Sequence, residues 1–500
     1  MSEIELKFEV TQAALRRLAA HPAFDAAADR VNLTSRYFDT PNSDLREAGL
    51  SLRVRRKGRG YVQTLKRSRD GDLFDRDEWE GPTPGQALDL SLLADTPVAG
   101  LLGDHAAELQ PRFTSRIRRD IRLWKSGPSL VEVSIDRGEI VGEGCREPLL
   151  ELELELKDGP VEGLYALAED LSGAAPMRLS FDSKSERGYR LVAGQAGQAR
   201  KAASPALSPK MTCSAAFARI AESCLMQLAG NAEALRRERR PESLHQTRIG
   251  LRRLRSAMSL FKPMVFDAEF DALRLECKWA AGELDLARNL DVFIAKVSAA
   301  KSTAPRFDVY LARLNDVRER AYDRAREVLD SPRFARLLLN GALWVENGPW
   351  TRTSDCAQAQ AREGRQSDFA AAVLDDRRKS LRKAGKDLHG LAPDVRHRLR
   401  IKAKKLRYAA EFLDGAFEGG DKRRRRFIDA LKGLQDTLGE LNDIAVADES
   451  ARHGVFGRGA TELAFLAGQF VGALKANEPK LIDKAVKAYD GFRAAGPFWT

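Results

Sequence analysis

The chain has 500 residues, 43% of them hydrophobic, which is enough core for roughly two to four domains; no apolar run reaches the length of a membrane-spanning helix. Its net charge of +11 is unevenly divided: residues 1–200 hold 29 Lys and Arg against 33 Asp and Glu, leaving 54 against 39 for residues 201–500, so a polyanionic partner is expected for the second part. The five cysteines are odd in number and scattered without a CxxC pair, which argues against a disulfide framework or structural zinc. With no leader pattern at the start, the expectation is a reduced, unexported, cytoplasmic protein.

The first strand is predicted over Glu3-Ile4-Glu5-Leu6-Lys7-Phe8. Side chains alternate along a strand, so Glu3, Glu5 and Lys7 share one face, about 7 Å apart, and Ile4, Leu6 and Phe8 the other. Leu15 to His21 reads as a short helix, and Ser35-Arg36-Tyr37-Phe38-Asp39-Thr40 ends at a Pro-Asn-Ser turn. Ser51-Leu52-Arg53-Val54-Arg55 then returns through Gly58 and Gly60 as a hairpin with Tyr61-Val62-Gln63-Thr64-Leu65-Lys66. Further strands carry Arg76 with Glu78 and Glu80, Arg116 with Arg118, and Glu132-Val133-Ser134-Ile135-Asp136; Leu150 to Lys157 alternates perfectly, with Glu151, Glu153 and Glu155 on one side. Such a series fits an antiparallel sheet closed into a barrel. Some strands are nearly all acidic and others all basic, whereas a solvent-facing sheet mixes signs because like neighbours repel. Segregated signs suit a lumen that binds a hard divalent cation through carboxylates and phosphate oxygens through Arg and Lys.

These residues resemble the CYTH domain of the triphosphate tunnel metalloenzymes. The likeness starts from the ExExK pattern of Glu3 to Lys7 and runs in order through Tyr37 to Pro41, Ser51 to Arg55, Gln63 to Lys66, Glu151 to Glu155 and Ser183 to Tyr189. It implies an eight-stranded tunnel that hydrolyses triphosphates with Mg²⁺ or Mn²⁺. Carried over by position, Glu3, Glu5, Asp136, Glu151 and Glu153 would hold metal, with Glu155 either joining them or sitting at the rim. Arg53, Arg55, Lys66, Arg116, Arg118 and Lys184 would grip phosphate oxygens, Lys7 would place the attacked phosphoryl group, and Tyr37 with Lys66 would activate water. No covalent nucleophile is required for this chemistry: neutralised charge and an aligned water suffice.

Ala193 to Pro209 is rich in Ala, Gly, Ser and Pro and reads as a flexible connector, placing a linker at 201–210 between a domain at 1–200 and one at 211–500. From Ala215 onward the pattern is helical. His245-x-x-Arg248-x-x-x-Arg252-Arg253-Leu254-Arg255 recurs 152 residues later as His397-x-x-Arg400-x-x-x-Lys404-Lys405-Leu406-Arg407, and Asp291 recurs as Asp443. The repeat predicts a duplicated all-α bundle, about 211–345 and 365–500. In each copy His, Arg and Lys share one narrow arc beside an apolar stripe of Leu251, Leu254, Met258 and Phe261 in the first. Cation stacked on cation is unfavourable by a few tenths of a kcal/mol per pair, so an external polyanion is expected on that face. This half resembles the CHAD domain, which implies binding of inorganic polyphosphate by His245, Arg248, Arg252, Arg255, His397, Arg400, Lys404 and Arg407.

The fold class expected is therefore an α+β two-domain chain, a β-barrel tunnel followed by a helical bundle. The function expected is hydrolysis of inorganic triphosphate beside a polyphosphate-binding module, at large in the cytoplasm or on polyphosphate granules. Alternatives are a non-catalytic polyphosphate binder and a triphosphatase acting on thiamine triphosphate or nucleotides. Nucleic acid is disfavoured as a partner because no aromatics interleave with the basic arcs.

Overall fold

A computed structural model of the protein describes residues 2–68, 75–195, 197–202, 204–299, 307–452, 468, 471–472 and 474–499. The chain forms two compact units: Met1–Lys201 with Leu225–Thr247 and Arg326–Pro349, and Ala202–Cys224 with Arg248–Ala325 and Trp350–Thr500. Two helical segments from beyond the expected linker thus group with the N-terminal unit.

The first unit is built on β1 (Ser2–Glu9), β2 (Asp29–Asp39), β3 (Leu50–Lys57), β4 (Gly60–Ser68), β5 (Asp75–Thr83), β6 (Gln110–Ser126), β7 (Ser129–Gly142) and β8 (Cys145–Asp158). They lie in the order β5-β4-β3-β2-β6-β7-β8-β1, every pair antiparallel, and a β1–β5 pairing closes the ring of eight. A two-residue strand, β9 (Arg178–Leu179), pairs beside β1 as a ninth. Period-two alternation gives this barrel an apolar outside and a polar inside over much of its wall. Leu52, Val54 and Leu65 point outward and pack with Phe38 against Leu93, Val98 and Leu102. On the other side the helix Val161–Ala174 lies over β7 and β8, burying its Leu164, Leu167 and Leu171 while Val131, Val133, Leu152 and Leu154 of those strands are buried too. The hydrophobic core therefore sits between barrel and helices, and the lumen is left for charge.

One end of the barrel is closed by the helix Lys184–Val192, the plug helix. Ser183 caps it by accepting from the Glu186 amide at 3.1 Å. Tyr37, Phe113, Ile140, Leu149 and Tyr189 form an apolar cluster at this end. A Cβ on Gly188 would lie 2.1 Å from the Phe113 ring, so only glycine lets the plug sit this close. Asp39 fixes it from β2: its carboxylate accepts from the amides of Leu45 and Arg46 and, at 2.8 Å, from the Tyr189 hydroxyl.

The connector from Ala193 is anchored at Arg200, whose guanidinium bonds Asp182 at 2.7 Å and whose backbone bonds Asn231 at 2.8 Å in both directions. That differs from the flexible stretch the composition suggests, because the buried Asn231 and the half-buried Asp182 offset the ordering cost.

In the second unit the apolar stripes are buried as the period requires: Leu251, Leu254 and Met258 on the helix Pro241–Leu260 with Phe261 just after it, and Leu399, Ala403, Leu406 and Ala410 on Pro393–Phe412. Residues 453–467 of the second repeat lie outside the described residues. Among those described, no helix is long and apolar enough to cross a membrane.

Candidate active site

In a ring of eight strands, the fourth neighbour in either direction stands opposite. β3 therefore faces β8, β4 faces β7, and β1 faces β2. Inward residues on β3 and β4 are Arg53, Arg55 and Lys66; on β7 and β8 they are Glu132, Asp136, Glu151, Glu153 and Glu155. The strand order thus sets a basic wall against an acidic one. Between them lies a cavity of about 400 Å³, lined also by Glu5, Lys7, Tyr37, Arg119 and Lys184.

Ligand oxygens of Asp136, Glu151 and Glu153 all lie within 4.8 Å of one another, and all three residues are buried. In β1, Lys7 stands opposite Glu153 and Glu5 opposite Glu155, and the Lys7 ammonium donates to Glu5. The Lys184 ammonium, brought in by the first turn of the plug helix, lies 2.9, 2.8 and 2.6 Å from Asp136, Glu151 and Glu153. Arg119 bonds Asp136 at 2.7 and 2.6 Å and also reaches Glu153, while Arg187 joins Glu151 at 2.7 Å to Glu147 at 2.6 Å. Burial works to raise the Glu153 pKa, but Lys184, Arg119 and Lys7 outweigh it and hold the carboxylate well below the usual range. Lys184 mirrors this: burial pulls it down, and Asp136, Glu151 and Glu153 lift it well above an ordinary lysine. The donors in the cluster are carboxylate oxygens without thiolate or imidazole, the set that hard divalent cations prefer. It fits a hard divalent cation by chemistry, with protein cations paired to the same carboxylates here.

On the basic wall, Arg53 stands opposite Tyr37 in register, while Arg55 donates to the Ser35 hydroxyl at 3.0 Å. Burial lowers the Arg55 pKa to about 10, with Arg53 pushing the same way. Tyr37 is buried and stacks on Phe113 at 4.6 Å. Burial alone would raise its pKa, yet Arg53, Arg55 and Lys184 bring it below the usual phenol value. Lys66, on β4, lies 3.6 Å from Glu78 and lines the same cavity as Tyr37 of β2.

Two expected lumen residues point elsewhere. Arg116 and Arg118 are exposed on the outer face of β6, Arg116 3.6 Å from Glu139. The inward parity of β6 belongs to Phe113, Ser115, Ile117 and Arg119, and a one-residue change of parity moves a side chain to the other face. Arg119 was legible only as the third arginine of the Arg116-Ile117-Arg118-Arg119 run. The side chain of Glu3 lies outside the described residues. Arg187 and Glu147 were not anticipated at all, since neither continues an alternating charged strand motif.

In the second unit the two repeats bring their cations together. Arg252 of the first donates to the Tyr408 hydroxyl of the second at 2.6 Å, and Arg407 lies over the same ring at 4.8 Å. Burial, then Arg252, Arg400, Arg407 and Arg248, lower the Lys404 pKa to about 7. Arg248 pairs with Asp285, and Lys296 with Asp443 at 2.7 Å, whereas Asp291 accepts from Tyr322 at 2.8 Å. Arg255 is half-buried, and the exposed His397 contacts Asn442 at 2.5 Å. His245 is half-buried and falls in the first compact unit.

Comparison with known proteins matches two parts of the chain to two families. Residues 1–189 match the family model described as CYTH domain, and residues 219–452 the one described as CHAD domain. An inorganic triphosphatase of Haemophilus influenzae is 29% identical over 206 residues, 39% of this chain and 56% of that protein; the chain thus spans about half of that relative's length. An uncharacterized protein of Mycobacterium tuberculosis is 26% identical over 503 residues, 89% of this chain and 87% of its own. The crystal structure of the CHAD domain from the plant Ricinus communis superposes with a TM-score of 0.52 at 28% identity, covering 59% of this chain and 96% of that one. The chain accordingly carries a CYTH domain in its antiparallel barrel, followed by a CHAD domain in its helices.

Proposed function

We propose that the barrel hydrolyses inorganic triphosphate with the help of a divalent cation, and that the helical domain binds inorganic polyphosphate. One observation carries the first part: guanidinium and ammonium groups on β3 and β4 face a carboxylate cluster across a cavity of about 400 Å³. The triphosphatase relative supports the same reading.

Arg53, Arg55 and Lys66 would bind the phosphate oxygens, Arg by bidentate forks and Lys as a point charge. Because their positions are fixed by strands, they would stabilise charge developing on the transferred and leaving groups without reorganising. Lys7, held by Glu5, would orient the phosphoryl group nearest the acidic wall. Asp136, Glu151 and Glu153, with Glu5 on the adjacent strand, would hold Mg²⁺ or Mn²⁺, which when bound neutralises phosphoryl oxygens and acidifies water. Tyr37, with its lowered pKa, would accept a hydrogen bond from the basic wall and offer its oxygen to water. The helical site would be the joint cation cluster of Arg248, Arg252, Arg400, Lys404 and Arg407, with His245, Arg255 and His397 on the same two helices.

The test is phosphate release from tripolyphosphate, ATP, thiamine triphosphate and long-chain polyphosphate, with Mg²⁺, with Mn²⁺ and with chelator. Tripolyphosphate should be the best substrate, and Glu5→Ala should abolish metal-dependent release while leaving polyphosphate binding intact. Full turnover by Glu5→Ala would refute the tunnel assignment.

A further inference from the structure

The arginines that do not enter the lumen form a surface of their own. On the outer face of β2, β3, β6 and β7, Arg30, Arg36, Arg56, Arg116, Arg118 and Arg137 all point outward. Two carboxylates accompany them. Asp120 lies 2.6 Å from Arg137 and 3.6 Å from Arg30, and Glu139 lies 3.6 Å from Arg116. Among the described residues no carboxylate pairs with Arg36, Arg56 or Arg118. Register puts Arg118 directly opposite Arg137, and aligns Arg56, Thr34, Arg116 and Glu139 in one row across four strands.

Like charges directly opposite on a sheet are destabilising, and an exposed sheet face ordinarily relieves them with acidic or neutral neighbours. Here every cation on the arc is arginine. Guanidinium matches phosphate oxygens in a planar fork, where lysine offers only a point charge. The strands space the arginines about 5 Å apart across the sheet and about 7 Å along it, a grid that a flexible phosphate chain can follow. The exposed neutral residues on the arc are Asn32 and Thr34, with Thr114 half-buried; Val54, opposite Arg36, is buried, and Tyr61 of β4, opposite Arg56, packs against the apolar cluster of Phe38 and Leu52. Single-stranded nucleic acid uses a series of exposed stacking platforms on such surfaces, whereas Tyr61 at the edge of this arc is half-buried against the apolar cluster.

We infer that the outer wall of the barrel over β3, β2, β6 and β7 is a second docking surface for inorganic polyphosphate, separate from the helical cation cluster. The inference stands on the exposed arc alone and requires nothing of the lumen.

The test measures binding of long-chain polyphosphate to the full chain over a range of salt. Four proteins are compared: wild type, Arg116→Glu with Arg118→Glu, the helical variant Arg248→Ala with Arg400→Ala, and all four changes together. The helical variant should keep salt-sensitive binding. The barrel changes should weaken that residual binding about tenfold and lower the slope of log K against log salt by about 1.4, for two lost phosphate contacts. Arg36→Gln with Arg56→Gln, which reverses no charge, should act in the same direction, and melting curves establish that each variant is folded. Absence of residual binding in the helical variant would overturn the inference, as would residual binding that the barrel changes leave untouched. Equal competition by duplex DNA at matched phosphate would overturn the choice of polyphosphate. Loss of tripolyphosphate turnover with unchanged polyphosphate affinity would return Arg116 and Arg118 to the tunnel.

Discussion

Lys184→Met tests whether the acidic cluster is organised as described. The ammonium is 6% exposed and lies within 2.9 Å of three buried carboxylates. Methionine matches its length and leaves Asp136, Glu151 and Glu153 with Arg119, Arg187 and Lys7 for compensation. Removing one member of a buried ion pair costs about 3–5 kcal/mol, and for a unit of this size each kcal/mol lowers Tm by about 2–4 °C. A fall of about 10 °C is therefore expected near neutral pH in chelator, read by calorimetry on the full chain. The pH dependence follows from the signs. In the native protein Glu153 is held below its unfolded pKa, so its stabilisation is present above the unfolded value and disappears as pH falls through the folded one. In the variant Glu153 loses the cation that lowers it most, so its carboxylate is protonated more readily and the stability deficit should shrink as pH falls. Divalent cation offers a second rescue: at a hundredfold excess over Kd it should restore about 2.7 kcal/mol. A variant that melts with wild type in chelator, and responds to neither acid nor Mg²⁺, would show that these carboxylates are not a cation cluster.

Gly188→Ala should destabilise the plug by about 1–3 kcal/mol despite alanine's better helix propensity, because the new Cβ would meet the Phe113 ring at 2.1 Å; chemical denaturation checks this. Since Phe113 stacks on Tyr37, the same change should also lower turnover. Arg53→Gln with Arg55→Gln should reduce tripolyphosphate turnover by about 100-fold or more, measured as phosphate release, if these groups meet charge that develops in the transition state. For the helical domain, affinity for polyphosphate should weaken as pH rises through about 7, where Lys404 loses its proton, and Lys404→Met should flatten that profile. The unliganded protein should behave oppositely: Lys404 titrates lower folded than unfolded, so stability rises with pH between those two values.

Much of this was legible in residue order. Alternation alone assigned Glu5 and Lys7, Arg53 and Arg55, and Glu151 and Glu153 to shared faces, because a strand permits no other arrangement. The repeat of 152 residues identified the two basic helices and their buried stripes. What alternation leaves open is which face turns inward. On β6 arginine occurs at both parities, so only closure of the barrel, with Phe113 and Ser115 inside, separates Arg119 from Arg116 and Arg118. Tyr37 and Lys66 stand on β2 and β4, and only closure of the barrel turns both toward the same cavity.

Local pattern therefore determined the elements, their charged faces and the duplication, since those depend on backbone geometry repeated every two or 3.6 residues. Tertiary structure decided the opposition of β3 to β8, the seat of Lys184 among three carboxylates, and the meeting of Arg252 with Tyr408. Each of these joins residues far apart in the chain, and contacts of that kind are fixed by register and closure rather than by any local period.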